Sequence, residues 1–302
     1  MGELSKKIGE YGESVVEEFL NDIGWSSLQK GIEMANLFQE NYDKKTYGID
    51  FLKSYECPLV DDTVKNILVS VKYHKDKYPD GYKALAKSHL IELSQMLHSY
   101  SYSELKSDTE HLEGSIEEDI GVLIWLCHKD SDLDIRKELQ NTRIELPYDQ
   151  TKIILLDNIQ VDFVWSAVSF IKTVFVNQGI EFYYPNTGQN INPMTKISSG
   201  KIMPVEFVCS PVITFKTSDS NKIITLSIIT SVPFTKSNLR RIIGLAQELT
   251  TNLSSQILLA FPDYDELEHQ NDFLAIKNEF TSTDLANKVF IANYSNTRYK
   301  IK

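Results

Sequence analysis

The chain has 302 residues, 42% hydrophobic and 24% charged, with 13 Gly and 9 Pro. That composition excludes a disordered or fibrous protein, and a soft prior of about 150 residues per domain suggests two α/β domains, 1–150 and 151–302. A formal charge of -11 excludes a uniformly basic surface, so any grip on DNA needs a local basic patch or positive charge from a partner.

Cys57, Cys127 and Cys209 are far apart, form no CxxC pair and leave one over in any pairing. A reduced, cytoplasmic setting fits. The N-terminus, MGELSKKIGEYGESVVEEF, alternates charge with apolar residues and lacks the uninterrupted apolar core of a signal peptide. The most apolar stretch, Val161 to Val176, carries Asp162 and Lys172 and is too short to span a bilayer. No membrane role is expected.

In chain order, Ile8, Val15, Val16, Phe19 and Ile23 recur at helical spacing and Gly24 follows as a stop, predicting an amphipathic helix over Leu4 to Ile23. TYGIDFL and NILVSVKYH predict neighbouring strands over Gly48 to Leu52 and Ile67 to Tyr73. Ala86, Leu90, Leu93 and Leu97 mark one face of a helix over Tyr82 to Ser99, and IGVLIWLC at Ile120 to Cys127 predicts the next strand. Ile154 to Asp157 adds a further one. An apolar helix over Ile159 to Gln178 and a Pro, Asn and Gly-rich connection from Tyr184 to Met203 lead into a second unit. Its expected elements are strands over Glu206 to Phe215 and Ile223 to Ser231, a helix over Ser237 to Asn252, and the strands QILLAF and KVFIANY. There is no internal repeat and no GxxxxGK[ST] loop, so nothing implies ATP-driven work.

Phosphodiester hydrolysis needs an attacking water and charge stabilisation at phosphorus, much of which Mg²⁺ held by one or two carboxylates supplies. A nearby lysine orients the water and offsets developing charge. GID on one strand and SVK on the next put Asp50, Ser70 and Lys72 where their side chains converge, since residues 70 and 72 share a strand face.

The pattern resembles the PD-(D/E)XK nuclease superfamily, particularly its Holliday-junction-resolvase-like and restriction-endonuclease-like members. GEYGESVVEEFLNDIGW matches the common helix, YGIDFL the aspartate strand and ILVSVKY the lysine strand, over about residues 8 to 127. The resemblance implies a restriction-endonuclease-like mixed sheet flanked by helices. Asp50 would ligate Mg²⁺ or Mn²⁺, Lys72 would act on the attacking water, Glu13 would be the helix-one acid, and the Val71 carbonyl a further ligand. Helix geometry favours Glu13, on the flank of the apolar stripe, over Glu10 and Glu17.

Ser70 departs from the family's usual Glu or Gln, and a neutral hydroxyl is a weaker Mg²⁺ ligand. Some members with Ser there recruit a Glu from the following helix, here Glu92, although Glu92 lies about 100° off its helix's apolar stripe. Gln95 lies opposite that stripe and is expected in solvent. The six histidines are scattered without HExxH or HxH spacing, which argues against zinc; only His74 shares the Lys72 strand face. Lys75, Lys77, Lys83 and Lys87, interleaved with Tyr73, Tyr78 and Tyr82, read either as a DNA contact or as a solvated loop. Arg240 and Arg241 read as solubilising charge.

The expectation is therefore a metal-dependent DNA endonuclease. It is also similar to the nuclease subunits of small bacterial anti-phage systems, which implies a protein partner or a homo-oligomer. The alternatives are a non-catalytic nucleic-acid-binding or scaffolding subunit, with Ser70 marking decay, and an RNA-cleaving nuclease. The C-terminal domain would then serve assembly, regulation or target recognition.

Overall fold

The computed structural model describes residues 2–38, 44–109, 114–129, 133–148, 151–249, 255–280 and 283–294. The chain divides into two compact units, Met1–Val161 and Asp162–Lys300. His111 and the expected helix end at Asn252 lie outside the described residues.

The first unit opens with helix α1 (Gly2–Asp22), which buries Val16, Phe19 and Leu20, with Ile23 just past its end. Strands β1 (Gln29–Ala35), β2 (Thr46–Glu56) and β3 (Thr63–His74) follow, then helix α2 (Tyr82–Tyr100) and strand β4 (Ile116–Cys127). A short helix α3 (Ile135–Leu139), strand β5 (Lys152–Leu156) and the start of helix α4 (Asn158–Val174) complete it. The sheet order is β1-β2-β3-β4-β5; β1, β2 and β3 pair antiparallel, and β3, β4 and β5 parallel. This is a mixed sheet flanked by helices, as the resemblance implies. Strand β1 was not expected, because QKGIEMA turns only Ile32 and Met34 toward the core and exposes the rest.

Two close approaches fix the helices on this sheet. Gly12 is buried in α1, and a methyl group there would overlap the Cβ of Tyr73 on β3. On α2, Leu93 and Leu97 pack so near Gly121 of β4 that an added Cβ would come within 2.9 Å of both. Leu90, Leu93 and Leu97 form one cluster with Ile49, Leu68, Leu123 and Trp125, which places α2 on the face that Ser70 and Lys72 share with Leu68.

The second unit carries β6 (Gly179–Tyr183), β7 (Ser199–Gly200), α5 (Val205–Val208), β8 (Val212–Ser218), β9 (Ile224–Thr230), α6 (Lys236–Leu249), β10 (Gln256–Phe261), α7 (Glu266–Lys277), α8 (Thr283–Lys288) and β11 (Val289–Asn293). Its sheet order is β11-β10-β9-β8-β6-β7, with β9, β10 and β11 parallel. Leu226, Ile228, Leu239, Ile243 and Leu259 anchor its core.

Two expectations change here. The stretch from Glu206 to Phe215 is not one strand: Pro204 starts the short helix α5 and Pro211 precedes the true start of β8 at Val212. Helix α7 was not expected, because Leu267 and Leu274 are exposed and break any apolar stripe. Its signal was the cap, since Asp265 accepts from the backbone N–H groups of Leu267 and Glu268. None of the three cysteines is disulfide-bonded, and among the described residues no helix is long and apolar enough to cross a membrane.

Candidate active site

Strands β2 and β3 pair from Glu56–Val64 to Phe51–Val69 and stop there. Asp50 and Ser70 would be the next pair. Beyond this point β3 continues alongside β4 as far as His74–Cys127, while β2 continues alongside β1 as far as Thr46, so the sheet forks. The pleat also slips at Asp50: Ile49 and Leu52, three residues apart, both join the α2-side cluster, and the β1–β2 ladder skips the Gly31–Asp50 pair.

In the fork a side chain takes the place of the missing strand. The Val71 N–H donates to Asp50 Oδ2 at 2.6 Å. The N–H and C=O of a residue in an extended strand leave on the same side, so the Val71 carbonyl faces the fork as well. Burial raises the Asp50 pKa; the Val71 amide and Lys72 pull it down, Glu92 pushes it up, and the net effect is upward.

Glu13 is held nearby because its neighbour Gly12 lets α1 settle on Tyr73. Its carboxyl stays at the rim, and its pKa is raised by partial burial, then by the negative charges of Asp50 and Glu10. Helix one thus does bring an acid into the field of Asp50.

Lys72, half-buried, projects toward α2, where its Nζ lies 3.4 Å from Glu92 Oε2. Lys44, at the entry to β2, pairs with the other oxygen, Oε1, and its Nζ lies 5.3 Å from the centre of the Tyr47 ring. Burial raises the Glu92 pKa, but Lys44 and Lys72 outweigh it and hold the group below its ordinary value. Ser70 is 5% exposed on the same face. The angular argument against Glu92 therefore fails: α2 lies so close to the sheet that a long side chain on the flank of its stripe reaches back to Lys72. Gln95, expected in solvent, is half-buried and accepts from the Tyr47 hydroxyl at 3.5 Å.

His74 and His89 flank Trp125, with ring centroids 6.0 and 5.4 Å from it. Burial lowers the His74 pKa. Burial, reinforced by Lys72, pushes His89 down to about 4. Both are neutral near pH 7, so Lys72 and Lys44 carry the positive charge on this side. Tyr78 is not a DNA contact, for it is buried and its single hydroxyl proton has two acceptors within reach, the Trp125 carbonyl at 2.7 Å and Asn158 Oδ1 at 2.9 Å. Lys83 and Tyr82 are both engaged by Glu138. Arg240 forms an exposed pair with Glu279.

Among the described residues, no group of three or more His, Cys, Asp or Glu side chains is placed so that it could hold a metal ion. The oxygen groups at or near the fork are Asp50, the Val71 carbonyl, and the carboxylates of Glu13, which feels the charge of Asp50, and Glu92, which acts on it. Burial first, and neighbouring carboxylates second, raise the pKa values of Asp50 and Glu13, and oxygen groups of this kind could serve a divalent cation that needs few protein ligands and keeps its waters. Local sequence pattern brought Asp50, Ser70 and Lys72 together. It held no signal for Lys44, which meets Glu92 across 48 residues.

Residues 1–160 match the model of a protein family described as the GAPS4 protein PD-(D/E)XK nuclease domain. The match covers more than half of the chain and ends within a residue or two of the boundary between the two compact units. No curated protein and no solved structure matches the chain.

Proposed function

The chain belongs to the family of the GAPS4 protein PD-(D/E)XK nuclease domain, and from that premise we propose that its first unit is a Mg²⁺-dependent DNA endonuclease centred on Asp50 and Lys72. The observation that carries this reading is the fork, where Asp50 accepts from the Val71 N–H and shares its electrostatic field with Glu13, Lys72 and Glu92.

Asp50, the Val71 carbonyl and Glu13 would hold the cation, with Glu92 compensating for the weak hydroxyl of Ser70. A bound Mg²⁺ polarises the phosphoryl oxygens and lowers the pKa of bound water. Lys72 orients the attacking water and offsets negative charge developing at phosphorus. To serve as a ligand Glu92 turns from its two lysines, which frees both ammonium groups to face a phosphate. The Val71 N–H keeps Asp50 aimed into the fork throughout. His74 and His89, neutral and packed on Trp125, wall the site without titrating near pH 7.

Metal ligation requires deprotonated carboxylates. Because the pKa values of Asp50 and Glu13 are raised, cleavage should climb with pH above the ordinary carboxylate range. The acidic balance of -11 supports action with a partner subunit that supplies positive charge, and the resemblance to two-gene anti-phage nucleases supports a role in bacterial defence in the cytoplasm. The second unit would then serve assembly, regulation or target choice.

Ser70 favours the second reading, a catalytically weak binding subunit. The deciding experiment incubates the purified chain, with and without its neighbouring gene product, with plasmid DNA, linear DNA or structured RNA in Mg²⁺ or Mn²⁺. Divalent-dependent DNA cleavage that disappears in Asp50→Ala and Lys72→Ala is expected. Cleavage that survives both substitutions would overturn the assignment, and preference for RNA would reassign the substrate.

A further inference from the structure

At the far end of β3, just past the site, a cavity of about 260 Å³ is lined by Lys7, Ile8, Tyr11, Tyr73, Lys75 and His128. Three of its walls are rings. Tyr11 and Tyr73 meet edge to face with centroids 5.6 Å apart, and His128 lies 6.5 Å from Tyr11. The Tyr73 hydroxyl is 3.0 Å from His128 Nδ1, which fixes that ring pair as a floor. Tyr11 remains 38% exposed.

The same turn of α1 serves both places. Gly12, seated on Tyr73, separates Tyr11 in the cavity wall from Glu13 at the fork. Lys75 lines the cavity on the α1 side of the sheet, with Tyr73 and Tyr11, the side from which Glu13 approaches Asp50, whereas Lys72 faces α2. Lys7 and Lys75 both line the opening, and Asp76 beside it is paired with Lys129.

We propose that this cavity binds one unpaired nucleotide of a DNA strand that runs through the site, its base against Tyr11 and Tyr73 and its flanking phosphates on Lys7 and Lys75. The inference rests on the nuclease reading above and narrows its substrate to DNA with an unpaired or flipped-out nucleotide close to the scissile phosphate. A base inside a duplex has both faces covered by its neighbours, so aromatic walls recognise it only once it is unstacked. The cavity has room for one base and none for a duplex. Lysines beside rings are the combination that tracks a single strand without reading its sequence.

The test measures binding by the full chain in EDTA, where metal-dependent cleavage is silent. The probes are a single-stranded oligonucleotide carrying 2-aminopurine and a blunt hairpin of the same composition whose loop is replaced by a non-nucleotide linker, so that every base is paired. The fluorophore should be quenched on binding to the wild type and to Tyr11→Phe. Tyr11→Ala should weaken single-strand binding about 5- to 50-fold and leave hairpin affinity within twofold. A Lys7→Ala/Lys75→Ala double variant, which leaves the rings in place, should lower the salt slope for the single strand by about 1.4. The proposal is overturned if the wild type gives no quenching or binds neither probe. It is also overturned if Tyr11→Ala binds the single strand normally, or if it loses the hairpin equally. Cleavage lost in Asp50→Ala beside normal single-strand binding by Tyr11→Ala removes only the pocket, whereas cleavage retained in Asp50→Ala removes the nuclease reading itself.

Discussion

Strand β3 carries a charge cluster at each end of its pairing with β4, and the two are built on opposite principles. At the start, Lys65 is 3% exposed and its ammonium lies 2.6 Å from Glu118 Oε2, which Lys152 also reaches at 3.0 Å. Lys106 bridges Glu117 and Asp119 at 3.4 and 2.8 Å. Charges there are matched: the Lys65 hydrogen bond leads in holding Glu118 below its ordinary pKa. At the other end burial and neighbouring carboxylates hold Asp50 and Glu13 above theirs. The first cluster is neutralised by its own lysines, and the second is the one where the proposed cation would act. One strand thus carries a cluster in which a lysine holds a carboxylate below its ordinary pKa and another in which burial lifts two carboxylates above theirs.

The largest effect should come from breaking the unmatched end. Asp50→Asn keeps an acceptor for the Val71 N–H but removes the charge, and should lower cleavage on the order of 10² to 10³-fold. A raised folded-state pKa means that ionised Asp50 costs stability above that pKa, a cost that begins as pH rises past the unfolded value. The variant's melting temperature at pH 7 should therefore hold or rise. A fall would mean that the carboxylate is structural.

Glu118→Gln tests the matched end and should behave in the opposite way. It leaves the buried Lys65 ammonium without its carboxylate and should cost about 3 kcal/mol in denaturant unfolding. Cleavage per folded molecule should stay unchanged. The sign follows from the lowered pKa of Glu118: its contribution is present above the ordinary carboxylate value and is lost as pH falls through the folded value.

How much of this was legible before the fold was known differs between the ends. Asp50, Ser70 and Lys72 sit on strands that short apolar runs announce, and Glu13 is the helix-one acid that the resemblance implies. Glu92 was reached only through the resemblance and Lys44 was not legible, because their meeting depends on how closely α2 approaches the sheet at Gly121. No periodicity encodes that distance. Strand β1 was missed for a related reason, since an edge strand turns few residues inward. At the matched end Lys65 gave no hint of its burial, because a lysine is assigned to solvent until its partners on β4 are known.

Gly12→Ala sharpens the comparison by moving one element. The added methyl overlaps Tyr73, so α1 must shift, which should cost about 1–3 kcal/mol and reduce cleavage ~10- to 100-fold as Glu13 is displaced from Asp50. Unchanged kinetics would remove Glu13 from the site. The smallest effect belongs to Lys44→Ala. Its pair with Glu92 is half-exposed, so stability should change by less than about 0.5 kcal/mol. Mn²⁺ should bind about two- to fivefold more tightly once Glu92 keeps only one lysine partner. Weaker Mn²⁺ binding would mean that Lys44 does not compete for that carboxylate.

The central claim is that the unmatched cluster is a cation site and the matched one is not. Titrating Mn²⁺ into the wild type, Asp50→Asn and Glu118→Gln near neutral pH, followed by the loss of the free-ion electron paramagnetic resonance signal, tests it directly. Wild type and Glu118→Gln should take up the ion with similar affinity and Asp50→Asn should not. Undiminished Mn²⁺ uptake by Asp50→Asn would contradict the account.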